Sequence, residues 1–118
     1  MAWLHLDEFL DLDLEVGTDG APTVVSVIGE LDAAACPTAQ AVSERTLAEA
    51  TPVVLDMSSV TFFSAAGITM LLALQDRAAA VGTELTLRDP HPIVIRLLDI
   101  AGVASRFQLD QLPAPGGI

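Results

Sequence analysis

The stretch "PVVLDMS", Pro52 to Ser58, sets three apolar residues side by side at Val53 to Leu55 behind a proline. A strand with one wet face alternates polar and apolar residues. An unbroken apolar run of this length points instead to a central strand buried on both faces. The central strand is therefore expected over Pro52 to Met57, inside a sheet whose neighbours and covering layer come from the rest of the chain.

The flanking sequence supplies both. Leu10, Leu12, Leu14 and Val16 alternate with Asp11, Asp13 and Glu15, the pattern of a strand with one wet face. "TDGAP" turns the chain at Asp19-Gly20, and "TVVSVIG" returns it as the second strand of a hairpin. Pro37 suits the first turn of a helix, and "TAQAVSERTLAEA" has helical composition. After the central strand, Ile68, Leu71, Leu72, Gln75 and Ala79 follow helical spacing, with Gly82 placed to end the helix. "TELTLRD" is a fourth strand. Pro92 opens a third helix, in which Ile93, Leu97 and Ala101 share a face with Val94 and Leu98, and Gly102 ends it. "RFQL" is a short last strand. Strands that alternate with helices after an opening hairpin predict an α/β fold: one domain over residues 1–118, a mixed sheet of four to five strands and about three helices. Residues 1–8 and 111–118 are expected to be flexible ends, the latter because "LPAPGGI" is rich in Pro and Gly.

Charge narrows the partners. Of 118 residues, sixteen are Asp or Glu and five are Arg, with no Lys, for a net charge of −11. Such a chain is repelled by phosphate backbones and by anionic membrane surfaces, so neither nucleic acid nor membrane is expected as a partner. A protein with basic patches fits better. The apolar runs are too short to span a bilayer, and acids stand where a signal peptide carries a basic region. A lone Cys36 fits a reducing compartment, so the expected location is cytoplasmic.

Chemistry-bearing constellations are absent from the sequence. His5 and His91 are isolated from any metal-ligand spacing, and His91 before Pro92 reads as a turn residue. Cys36 has no basic neighbour in sequence and reads as a small packed hydrophobe. Asp11, Asp13 and Glu15 are explained by the wet face of a strand. No catalytic residue, metal or cofactor is expected, and the chain reads as a binding protein and not as an enzyme.

The most specific feature is the corner "SAAG", Ser64 to Gly67, between the central strand and the second helix. Ser64 is a natural N-cap whose side-chain oxygen accepts from a helix amide. Ala65 and Ala66 continue the helix cheaply, whereas Gly67 costs about 1 kcal/mol relative to Ala and implies close backbone approach. Three uses stay open for so smooth a helix start: an anion site, a flat contact for another protein, or close packing of helix on sheet.

Three blocks in order, "VVSVIGELDAAACP", "VVLDMSSVTFFSAAGITMLL" and "TELTLRDPHPIVIRLLDIAGVASRFQL", resemble the STAS domain, specifically the stand-alone anti-sigma factor antagonists of bacteria. Gly29-Glu30-Leu31-Asp32 and Gly67 with its flanks carry the resemblance. It implies helices packed mainly on one side of the sheet. It also implies a partner switch: an anti-sigma factor that is also a serine kinase, of the histidine-kinase-like ATPase type, binds the antagonist and phosphorylates one Ser at the start of the second helix. The family pattern at the corner is Asp, the acceptor Ser, Ser or Ala, then Gly, so Ser64 falls on the Asp and Ala65 on the acceptor. The resemblance thus implies a partner surface of Asp32, Ser58, Ser64, Ala65 and Gly67 without the usual acceptor, Ser64 being the nearest substitute. Related STAS domains imply two alternatives, a small subunit that stabilises an ABC-type transporter ATPase and a nucleotide-sensing domain. Whether the chain is a monomer or a homodimer stays open. Phe62 and Phe63 cannot both face inward if extended, so one is expected in the core and the other toward a partner.

Overall fold

The computed structural model describes residues 2–7 and 10–110, as six strands, three α-helices and one short 3₁₀ turn. The strands are β1 (Ala2–Asp7), β2 (Leu10–Glu15), β3 (Thr23–Leu31), β4 (Val53–Phe63), β5 (Leu85–Arg88) and β6 (Gln108–Asp110), side by side in chain order in one sheet. The helices are α1 (Cys36–Leu47), α2 (Ala65–Val81) and α3 (Pro92–Ala101). β2 runs antiparallel to both its neighbours, β1 and β3, and β3 to β6 run parallel. The α/β class, the mixed sheet and the three helices are as the sequence implies. The sheet has one strand more than the upper expectation, because Ala2–Asp7, expected as part of a flexible end, pairs with β2 as an edge strand. The other expected flexible end, 111–118, lies outside the described residues.

Local chemistry explains the boundaries. Asp19 and Gly20 both have positive φ, 54° and 85°, and the Ala21 amide donates to the Thr18 carbonyl at 3.0 Å, closing the hairpin between β2 and β3. Gly82 and Gly102 end α2 and α3 in the left-handed conformation. The His91 side chain accepts from the Ile93 amide at 3.2 Å and so caps α3.

The core lies between the helices and one face of the sheet. Leu10, Leu12, Val25, Val27, Leu55, Met57, Leu85 and Leu87 are all at most 2% exposed. Each large apolar side chain so buried contributes about 1.5–3 kcal/mol. Register is strongly held as a result, since a one-residue slip of β2 would bury Asp11 and Asp13 and expose Leu10 and Leu12. On α2 the buried stripe is Gly67, Met70, Leu71, Leu74 and Ala78, whereas the expected Ile68, Leu72, Gln75 and Ala79 lie at its margin or outside it. The difference arises because so much of α2 is apolar that spacing alone does not single out one face.

The central strand is longer than Pro52 to Met57. β4 lies inside the sheet between β3 and β5, and it continues past Ser58 and Ser59, although serines after a strand favour a turn. Two register shifts against β3 make room. Ser26 pairs with Asp56 and Ile28 with Ser59; then Gly29 pairs with Val60 and Glu30 with Phe62. One bulge is held by Asp56, whose Oδ1 accepts from the Ser58 amide at 3.0 Å and from the Ser58 hydroxyl at 2.7 Å. At the other, Gly29 takes a φ of 117°, which few other residues tolerate.

Candidate functional site

β3 and β4 are parallel, and their last residues, Leu31 and Phe63, are partners in register. The next residues, Asp32 and Ser64, therefore leave the same end of the sheet side by side, one toward α1 and the other into α2. This end is the candidate site.

Asp32 is half-buried. Its Oδ1 accepts from the amides of Ala34 and Ala35 at 3.1 and 2.8 Å, and its carbonyl accepts from the Cys36 amide at 3.0 Å. The carboxylate thereby shapes the turn that delivers the chain to α1. It also acts on Cys36, whose thiol pKa is raised, first by burial and then by the Asp32 charge. Both effects keep the thiol neutral and unreactive.

Ser64 occupies the N-cap position of α2 with extended backbone, φ −121° and ψ 179°, but its side chain does not cap. Its hydroxyl donates across the corner to the Leu31 carbonyl at 3.2 Å, 33 residues away in sequence. The expected bond from a helix amide to the Ser64 oxygen is replaced by this one, since the hydroxyl faces the end of β3. The Ser64 carbonyl accepts from the amides of Gly67 and Ile68 at 2.9 and 3.3 Å and starts the helix. The amides of Ala65 and Ala66 have no acceptor among the described residues.

Ala65 is exposed, and so is Thr69 one turn on, whose hydroxyl donates to the Ala65 carbonyl at 3.2 Å. Gly67 is buried. A Cβ placed on it would overlap the ring of Phe63, itself 2% exposed. The close approach signalled by Gly67 is thus made within the chain. Its neighbour Phe62 is 44% exposed, so one phenylalanine is in and the other out. Ser58 does not join the group. It lies six residues before Ser64 along β4, up to about 20 Å at strand spacing, and is exposed at the bulge. The Leu31 carbonyl gave no sequence signal, because nothing local links it to Ser64. Thr69 was legible only as a polar residue on an apolar helix.

The described residues form no pocket, and among them no group of His, Cys, Asp and Glu could hold a metal ion. What the corner offers is a shallow, small-residue surface at a helix start, while Phe62 turns to the opposite face of the sheet from Phe63.

No curated protein matches the chain in sequence. In structure it is similar to the anti-sigma factor antagonist SpoIIAA in its unphosphorylated form, at TM-score 0.72 and 20% identity over 89% of this chain and 90% of that one. The phosphorylated form of SpoIIAA, a Bacillus cell fate determinant, matches at TM-score 0.68 and 18% identity, over 89% and 94%. An anti-sigma factor antagonist from Mycobacterium paratuberculosis matches at TM-score 0.75 and 24% identity, over 91% and 90%. At these identities the likeness is one of fold. The family model described as "Mlab, STAS domain" matches residues 14–111, from the end of β2 to just beyond β6. With most of its length so matched, the chain belongs to the STAS domain family.

Proposed function

We propose that the chain is an anti-sigma factor antagonist-like regulatory protein that docks on an anti-sigma factor kinase through the corner of β4 and α2. The observation that carries this reading is the exposed Ala65 at the first position of α2, flanked by Asp32 and Ser64. The solved structures similar in fold include antagonists of this kind. Docking places the kinase against Ala65, with Asp32 and Ser64 at the margin and Gly67 supporting the surface from below. Ser58 stands too far along β4 to share the same small contact.

Ala65 has no hydroxyl, so docking proceeds without phosphoryl transfer at that position. Ser64 is a poor substitute. Its oxygen is held toward Leu31, and its Cα lies about 3.8 Å from that of Ala65. Phosphoryl transfer needs the attacking oxygen in line with the γ-phosphate, and a displacement of about 1 Å costs on the order of 100-fold in rate. The antagonist is then constitutive, or switched by other means.

The missing hydroxyl also favours a second reading, in which phosphorylation plays no part: a small subunit that stabilises an ABC-type transporter ATPase. Recovery of the bound partner separates the two. A histidine-kinase-like ATPase that co-purifies with the tagged chain supports the first, and an ABC-type ATPase supports the second. Intact-mass analysis after incubation with the kinase and ATP tests the phosphorylation step. The expected result is no phosphate on the native chain and one phosphate on Ala65→Ser. Phosphate on the native chain that disappears in Ser64→Ala overturns the assignment and makes Ser64 the acceptor.

A further inference from the structure

Parallel sheets occur almost only with both faces covered. Here the four parallel strands β3 to β6 carry helices on one face, and no described element covers the other. Register lays out that open face in rows. Glu15, Val24, Val54, Thr86 and Gln108 form one; Asp13, Ser26, Asp56, Arg88 and Asp110 form the next; Asp11, Ile28 and Ser59 form a third, with Glu30 and Phe62 beyond.

Apolar side chains stand on either side of the polar middle row. Val54 is 7% exposed, Ile28 38% and Phe62 44%, so two large apolar side chains stand in water beside a buried one. The surround is acidic. Asp11, Asp13 and Glu15 line β2, Asp56 lies in the middle row, Glu30 sits at the far end, and Arg88 is 3.5 Å from the Asp110 carboxylate. Asp13 Oδ1 is shielded from water with no hydrogen-bond partner among the described residues, an arrangement that costs folding free energy and contributes nothing to the core. A second copy of this chain would set these acids against their own kind, and anionic lipid and nucleic acid are repelled for the same reason.

We propose that this open face docks a basic amphipathic helix of a partner protein. Its apolar stripe lies along β3 and β4 over Val24, Val54, Ile28 and Phe62, and its Lys or Arg side chains reach Asp13, Glu15 and Glu30. A helix is the occupant because helices complete parallel sheets, and the charge on the face selects a basic one. This surface is separate from the Ala65 corner and stands or falls independently of it.

The test is a titration of ¹⁵N-labelled full-length chain with two synthetic helical peptides of equal length, one of Leu and Lys and the other of Leu and Glu. The Leu/Lys peptide is expected to shift the amides of Val24, Ser26, Ile28, Val54 and Asp56. The Leu/Glu peptide is expected to leave them unmoved. Ser26→Lys puts a cation in the middle of the face without touching the core, and Ile28→Ser removes apolar contact but keeps every charge. Each is expected to weaken binding by about tenfold, whereas Ala65→Arg is expected to leave it unchanged. Melting curves establish that the variants fold, and Ile28→Ser decides alone if Ser26→Lys does not. Shifts spread over distant acids such as Glu49 and Asp99, shifts centred on Ser64, or no shifts overturn the proposal. So does a dimer in sedimentation that dissociates in Ile28→Ser, which makes a second copy the occupant.

Discussion

At the scale of the residue, the corner shows how one glycine serves packing and not contact. Gly67 sits against the Phe63 ring, and both are buried. Gly67→Ala gains about 1 kcal/mol of helix propensity and loses about 1–3 kcal/mol to overpacking. Because the ring has no open space to move into, the loss is expected to win, by up to about 2 kcal/mol in urea unfolding. Phe63→Leu is expected to absorb part of that penalty, so the double variant should be less destabilised than the sum of the singles. Strict additivity would mean that the ring and the glycine do not compete for space. Cys36 gives a second prediction. Its folded pKa is raised by burial and by Asp32, so the unfolded thiol ionises at lower pH than the folded one. Its contribution to stability is whole below the unfolded value and is lost as pH rises through the folded one. Cys36→Ala is therefore expected to flatten the alkaline limb of stability against pH, and an unchanged limb would contradict this origin. Gly67 was readable in sequence as a demand for close approach. Which atom approaches was not, because Phe63 and Phe62 are equally apolar and only the fold decides which turns inward.

At the scale of the element, legibility followed pattern. Strict alternation in Leu10 to Glu15, the Asp19-Gly20 turn and the terminal glycines of α2 and α3 each have a local cause, and each was readable. β1 was missed because its sequence resembles a loose acidic end, and only its pairing with β2 makes it a strand. The extension of β4 was missed because Ser58 and Ser59 read as turn residues, whereas the Asp56 carboxylate absorbs them into a bulge and the strand goes on. The apolar run in α2 hid which face is buried until the sheet supplied a partner. The Ser64 hydroxyl joins two elements, the end of β3 and the start of α2. Ser64→Ala is expected to cost about 1 kcal/mol and to speed amide exchange at Cys36 and Gly67 together, whose amides are bonded to the Asp32 and Ser64 carbonyls. A change confined to α2 would mean that Ser64 acts as an ordinary helix cap.

At the scale of the whole molecule, two surfaces stand out from an otherwise acidic exterior: the small-residue corner at Ala65 and the open face of the sheet. Their existence follows from topology. Parallel strands in chain order put α1, α2 and α3 on one side, and they bring the ends of β3 and β4 together where Asp32 and Ser64 leave the sheet. The layered fold was legible because repeated strand and helix patterns admit few arrangements. That a sheet face would stay open was not, since Val53 to Leu55 reads as covered on both sides and all three are indeed buried. The proposed docking surface is centred on Ala65. The most direct measurement is calorimetric titration of the anti-sigma factor kinase with the native chain and with Ala65→Arg, alongside their melting temperatures. Ala65 is exposed, so the substitution should change stability by no more than about 0.5 kcal/mol. The guanidinium is expected to obstruct the contact and weaken binding by at least about tenfold. Equal affinities for two equally stable proteins would contradict the assignment of the corner as the docking surface.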